Sequence, residues 1–319
     1  MGRGRLGRIA AFALTALAGA ALCAQQTPVF RVDVRLVRLL ATVKDDYGRL
    51  VGHLSREDFK VFDNGVPQEI AVFERRTEQP LSVSVLIDTS GSTAKELRYE
   101  IESVQRFLHA LFREGNPQDA AALYSFNYEV TQRTPYTRQY AVLERALKNL
   151  KAEAGTSLYD AIYLASQQLQ DREGRHVLVV VTDGGDTTSY KTYHAALEAA
   201  QRADAVLYAI LVMPITSDAG RNIGGENALI TMTAATGGRV FTPSLGAELD
   251  AAFAEILQDL RTQYLIGYYP RNVPPSKDRF HRIEVKIAKP GLRVLARSGY
   301  YGDAERILPE EGPKRTRIP

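Results

Sequence analysis

One cysteine, no tryptophan and five scattered histidines limit what this 319-residue chain can do. A lone Cys23 excludes an internal disulfide and a Cys-based metal site. His53, His109, His176, His194 and His281 lie in unrelated stretches with no metal-ligand spacing. Charge of one sign is also missing. There are 40 basic and 37 acidic residues, and Arg3, Arg5 and Arg8 account for the whole surplus. The chain after residue 24 is therefore neutral, which excludes general electrostatic attraction to nucleic acid or anionic lipid. The glycine fingerprints of P-loop and dinucleotide-binding proteins are absent, as is a Gly-x-Ser-x-Gly nucleophile elbow. What is present is an ordinary folded composition, 45% hydrophobic and 24% charged, which excludes wholesale disorder.

The three arginines precede an apolar run, Ile9 to Ala24, rich in Ala and Leu. Basic start, apolar middle and small residues at the end describe a secretory signal peptide over 1–24, and the run is too short for a comfortable membrane span. Cleavage after Ala24 is preferred, although Ala18-Gly19-Ala20 fits the small-x-small rule better. Lipidation of Cys23 is the rival, disfavoured by the bulk of Leu22 before it. An exported, bacterial, periplasmic or extracellular protein is expected, with no transmembrane segment after processing.

Residues 29–78 read as strands. Phe30, Val32, Val34 and Leu36 alternate with charged residues, and the phase then slips to Val37, Leu39, Ala41 and Val43. Ser55 to Asp58 suits one helical turn, and Asp63-Asn64-Gly65 signals a hairpin. From 81 to 264 strand and helix alternate. Apolar runs at Leu81–Ile87, Ala120–Phe126, His176–Val181, Ala205–Val212 and Arg239–Thr242 suit strands covered on both faces. Helical spacing occupies Lys95–Arg113, Ala141–Lys151, Ser157–Gln170, Tyr193–Arg202, Asn227–Ala235 and Glu248–Thr262. Val130–Tyr136 suits an antiparallel edge strand. The expected fold is α/β: a doubly wound, mostly parallel open sheet flanked by helices. Strand alternation returns in 265–302, with a turn at Pro290-Gly291. These strands are too few for a sheet of their own and are expected to complete a small β-sandwich with 29–78. Residues 303–319 read as a disordered tail.

The candidate chemistry lies at strand ends. Leu81–Ile87 runs into Asp88-Thr89-Ser90-Gly91-Ser92, and the run ending at Val181 leads into Thr182-Asp183-Gly184-Gly185-Asp186. Gly155-Thr156-Ser157 opens a helix between them. In open α/β sheets the carboxyl edge of the strands is where ligands bind. Two carboxylates and three hydroxyls form an all-oxygen set suited to a hard divalent cation such as Mg²⁺. Singly, each segment has a plainer role: Ser92 or Thr93 with Glu96, and Ser157 with Asp160, as capping boxes, and Asp183-Gly184-Gly185 as a tight turn. Three separate segments converging on one edge favour the metal.

Asp88-x-Ser90-x-Ser92, then Thr156, then Asp183 resembles the metal-ion-dependent adhesion site of von Willebrand factor type A domains, over about 81–264. The flanks resemble, more loosely, a family of exported bacterial proteins carrying this domain. The resemblance implies a metal-dependent protein-binding module. Ser90, Ser92 and Thr156 would ligate Mg²⁺, with Mn²⁺ or Ca²⁺ as alternatives, while Asp88 and Asp183 act largely through water. The metal would accept an Asp or Glu of a partner protein. Neighbouring loops supply candidate partner contacts: Asn127, Tyr128, Tyr159, Asp186, Tyr190 and Asp218, the last in a loop spanning 214–226 whose glycines suggest mobility. Family behaviour also implies that the helix Glu248–Thr262 moves on binding and tilts the strands that follow it.

No organic cofactor and no enzymatic activity are expected. Asp88-Thr89-Ser90 is only superficially like the Asp-Thr-Gly of aspartic proteases, since Ser90 interrupts it and that dyad needs an all-β scaffold. A metal-assisted hydrolase using the same oxygens, or a scaffold with a structural or vestigial site, are the alternatives. No general base stands out beside the ligands themselves.

Overall fold

The computed structural model describes residues 36–302 except 76–77, 213–221 and 275. The predicted signal peptide, the first half of the opening strand, Cys23, Asp218 and the tail lie outside the described residues.

Six strands form the central sheet: β5 (Leu81–Asp88), β6 (Ala120–Phe126), β7 (Val130–Thr137), β8 (Arg175–Thr182), β9 (Ala205–Leu211) and β10 (Val240–Phe241). Their order is β10-β9-β8-β5-β6-β7, parallel except for the antiparallel edge strand β7. Strand β5 comes first in sequence yet lies inside the sheet, with β6 added on one side and β8 on the other. The chain reverses direction across the sheet at β5, so β5 and its neighbours frame the switch point where such folds bind ligands.

Every residue of β5, β6, β8 and β9 is buried, which is why these runs lack polar alternation. Val83, Val85 and Ile87 face α1 (Leu97–Glu114), α2 (Tyr140–Lys148) and α6 (Ala247–Thr262) in one apolar layer. Leu86, Leu178 and Val180 face α3 (Leu158–Gln170), α4 (Tyr193–Arg202) and α5 (Ile223–Thr236) in the other. The fold is thus the mostly parallel, helix-covered α/β sheet read from the sequence.

The remaining strands are β1 (Val37–Asp45), β2 (Phe59–Asp63), β3 (Val66–Gln68), β4 (Ile70–Glu74), β11 (Tyr264–Tyr268), β12 (Phe280–Ile287), β13 (Leu292–Leu295) and β14 (Gly299–Tyr301). They make two four-stranded sheets, β13-β1-β11-β4 and β14-β12-β2-β3. Strands from both flanks of the α/β unit therefore share each sheet. Leu39, Val43, Phe59, Val61, Ile266 and Ile283 belong to one apolar cluster between them. Polar locks add to it. The Tyr264 hydroxyl donates to Val51 O at 2.7 Å and accepts from Leu54 N–H. Buried Asp63 accepts from the hydroxyls of Tyr268 and Tyr300, both at 2.9 Å, and lies 3.0 Å from His281 Nδ1. Asn64 and Gly65 take the positive φ angles that the β2–β3 hairpin requires.

Two details differ from the sequence reading. Helix α5 begins at Ile223, capped by Asn222, four residues before the predicted start at Asn227. Gly224 and Gly225 therefore lie in its first turn and not in a mobile loop. The alternative capping box of Ser157 with Asp160 does not form. Thr93 Oγ1 donates to the Asp88 and Ser90 carbonyls, and Ser157 Oγ donates to Tyr128 O.

Candidate metal centre

Asp88 ends β5 with its side chain fully buried. Its Oδ1 accepts from Ser90 N–H at 2.8 Å, and its Oδ2 accepts from the Thr182 hydroxyl at 2.6 Å. One carboxylate thus ties the carboxyl ends of two adjacent strands. The backbone then tightens into a single 3₁₀ turn, Gly91–Thr93, locked by the Thr93 hydroxyl. Ser90 Oγ and Ser92 Oγ come to 3.0 Å of each other, the first buried and the second exposed. This hydroxyl pair leads from the interior to the surface.

Thr156 is brought to the same edge by backbone hydrogen bonds between loops. Glu153 N–H donates to Thr89 O at 2.8 Å, Tyr128 N–H to Ala154 O at 3.1 Å, and Ser157 N–H to Asn127 O at 2.7 Å. On the other side the Thr187 hydroxyl accepts from Thr156 N–H, and Thr187 N–H donates to Thr156 O. Among the described residues no hydrogen bond engages the Thr156 hydroxyl itself. Asp183, half-buried, follows β8 and accepts from Gly185 N–H at 3.2 Å.

The electrostatics are one-sided. Burial pushes the Asp88 carboxyl up to about 6, against the hydrogen bonds from Thr182 and Ser90 and with help from the Asp183 charge. Glu100 on α1 is fully buried, and neither of its carboxyl oxygens has a hydrogen-bond partner. Burial first, then the charges of Asp88, Glu96 and Asp183, raise it well above the usual range. Among the described residues no Lys or Arg forms an ion pair with Asp88, Asp183 or Glu100. Buried negative charge without a counter-charge is unfavourable, and a cation relieves it. The donor set is all oxygen and fits a hard divalent ion. Among the described residues no group of three or more His, Cys, Asp or Glu could hold a metal. Any ion held here must therefore draw on the hydroxyls.

Residues 83–185, from β5 through the turn after β8, match the family model of the von Willebrand factor type A domain. This stretch of the chain is similar to a von Willebrand factor type A domain. Among solved structures it is similar to the vWF domain of the type V pili tip protein Mfa5 from Porphyromonas gingivalis, at 16% identity and TM-score 0.47, covering 57% of this chain and 95% of that one. The conserved hypothetical protein BatB from Bacteroides thetaiotaomicron is 18% identical at TM-score 0.46, covering 56% and 97%. The pilus adhesin SpaC from Lactobacillus rhamnosus GG, in an open conformation, is 10% identical at TM-score 0.47, covering 76% and 47%. No curated protein matches the chain.

Around this candidate centre the predicted partner contacts divide. Tyr128 and Tyr190 are exposed, at 58% and 85%. Asn127 is buried, its side chain accepting from Glu129 N–H and lying 3.4 Å from Glu153 Oε2. Asp186 accepts from Tyr159 N–H and the Ser189 hydroxyl, and the Tyr159 ring packs edge-on to Tyr193. Asn127 is thus buried in loop contacts, while Tyr159 and Asp186 are half-buried. Sequence reasoning missed Thr182, Glu100 and the start of α5. Glu100 was detectable, because it falls on the same helical stripe as Leu97, Val104 and Leu111, where an acid is out of place.

Proposed function

We propose that this is an exported protein-binding module whose grip depends on a divalent cation of the Mg²⁺ class, held by Ser90, Ser92 and Thr156 with Asp88 and Asp183 behind them. The observation that carries this is the buried Asp88 carboxyl, without a Lys or Arg partner among the described residues, beside a hydroxyl pair that reaches the surface. A bound ion of this kind supplies positive charge and a coordination position that a partner's carboxylate can fill. The chain's own residues provide the rest. Asp88 and Thr182 fix the relative positions of β5 and β8, Thr93 locks the serine turn, and the three neutral hydroxyls leave the cation's charge incompletely compensated. That residual charge favours an Asp or Glu from outside. Tyr128 and Tyr190 are the exposed aromatic groups on the adjacent loops. Export rests on residues 1–24.

The reading is non-enzymatic. Of the acids at the centre, Asp88 and Asp183 are proposed ligands and Glu100 is sealed from solvent. Selection of a displayed random peptide library on the purified protein in MgCl₂, with elution by chelator, tests the binding role. Recovered peptides should share an Asp or Glu whose change to Asn or Gln abolishes capture. Recovery of acid-free peptides, or elution indifferent to chelator, would contradict the proposal.

A further inference from the structure

At the opposite edge of the central sheet, where β8 and β9 begin, lies a cavity of about 30 Å³. Its lining includes Arg38 of β1, Arg175 at the start of β8, Arg297 between β13 and β14, and Asp204 just before β9. Three arginines and one aspartate thus line it. Arg175 and Arg297 are 6% and 9% exposed, so two of the three cations are removed from water.

Their hydrogen bonds do not balance that charge. Arg175 donates to the carbonyls of Gln79 and Leu260, which are neutral acceptors. Among the described residues no carboxylate forms an ion pair with it. Asp119 is the acid that acts on it electrostatically, and its two oxygens already accept from Leu81 N–H and Asn116 N–H at 2.8 and 2.9 Å. Burial lowers Arg175 to about 10. Arg297 uses one terminal nitrogen on Asp204 and the other on Arg38 O, while its Nε–H is buried without a partner. Buried cations and buried donors are normally paired. Among the described residues Arg175 has only neutral hydrogen-bond acceptors, and the cavity it lines holds about two waters or one small anion.

We propose that this cavity binds one small anion, a halide, carboxylate or inorganic oxyanion, against Arg175, Arg297 and Arg38. Guanidinium groups suit such ligands because they present several N–H donors in a fixed plane. The site is separate from the metal centre, which lies at the carboxyl ends of the same strands. It joins β1 and the β13–β14 connection to the α/β unit, so occupancy stabilises the junction between them.

The test pairs location with energetics. Crystals soaked in sodium bromide should give an anomalous peak in this cavity. Thermal melting of the purified protein in bromide, formate or phosphate, at ionic strength held constant with bulky gluconate, should show a saturable rise. Its half-saturating concentration should increase about tenfold in Arg297→Lys, which keeps the charge but loses the fork. Arg38→Gln, at an exposed position, should raise it as well without unfolding the chain. Response to formate alone would assign a carboxylate ligand, to phosphate alone an oxyanion, and to all three any small anion. An empty cavity in bromide, a melting rise no larger than in gluconate, or unchanged half-saturation in both variants would overturn the proposal.

Discussion

Among the described residues the Glu100 carboxyl, in the helix that follows the candidate metal centre, has no hydrogen-bond partner and no counter-charge. Its folded pKa lies above the ordinary 4.5. Above pH 4.5 the folded chain therefore retains a proton that the unfolded chain releases. Its contribution to stability is full below that pH and is lost as pH rises through the folded value. In chelator, Glu100→Gln should melt higher than the parent at pH 7.5 and depend less on pH, as followed by circular dichroism between pH 4.5 and 8. Equal melting temperatures with equal slopes would contradict this. At this scale the positions of the candidate hydroxyls and carboxylates were legible because strand ends announce themselves: an apolar run stops at Asp88, another at Thr182. Glu100 was hidden inside a helix pattern otherwise apolar on that face. The orientations of Asn127 and Asp186 were set by loop hydrogen bonds that no spacing rule conveys.

The first turn of α5 forms part of the wall behind Asp183. A Cβ on Gly225 would lie 1.5 Å from Gly184 O, so α5 reaches the Asp183 turn only because residue 225 has no side chain. Gly225→Ala should destabilise the fold by roughly 1–3 kcal/mol and weaken Mg²⁺ binding, because the helix must withdraw from the turn. A Cβ on Gly224 meets nothing closer than Asn222 Oδ1 at 3.5 Å, an ordinary contact. Gly224→Ala should then stabilise by up to about 1 kcal/mol through helix propensity. Urea denaturation with and without MgCl₂ checks both, and similar behaviour of the two variants would refute the distinction. The glycines at 220, 224 and 225 suggested a mobile loop because, in sequence, glycine marks flexibility and close packing alike. Only the neighbour at Gly184 decides between them. The strands of the central sheet were legible almost to the residue, since burial on both faces removes polar alternation.

The α/β unit and the flanking sheets are joined by more than chain connectivity. Helix α6 passes into β11 through Gln263 alone, and β11 lies between β1 and β4. Asp259 of α6, 1% exposed, has Lys44 Nζ of β1 and Arg239 Nε each at 3.0 Å. Asp259→Asn takes the buried carboxylate from Lys44 and leaves Arg239 with Glu255 alone, and should cost about 3 kcal/mol in urea denaturation. A loss below ~0.5 kcal/mol would mean the junction is held by packing alone. That both flanks would contribute strands was legible from their alternation, whereas the pairing order was not, because every strand in them offers a similar half-buried pattern. The central claim, a divalent cation at Asp88, Ser90, Ser92, Thr156 and Asp183, is tested most directly by melting residues 25–319 in chelator and in ~10 mM Mg²⁺, beside Asp88→Ala. For a Kd of ~0.1 mM, ligand linkage gives about 2.7 kcal/mol, a rise of roughly 5–10 °C. The account predicts that rise in the parent and none in Asp88→Ala. A parent protein indifferent to both Mg²⁺ and Mn²⁺, or a variant that responds equally, would contradict it.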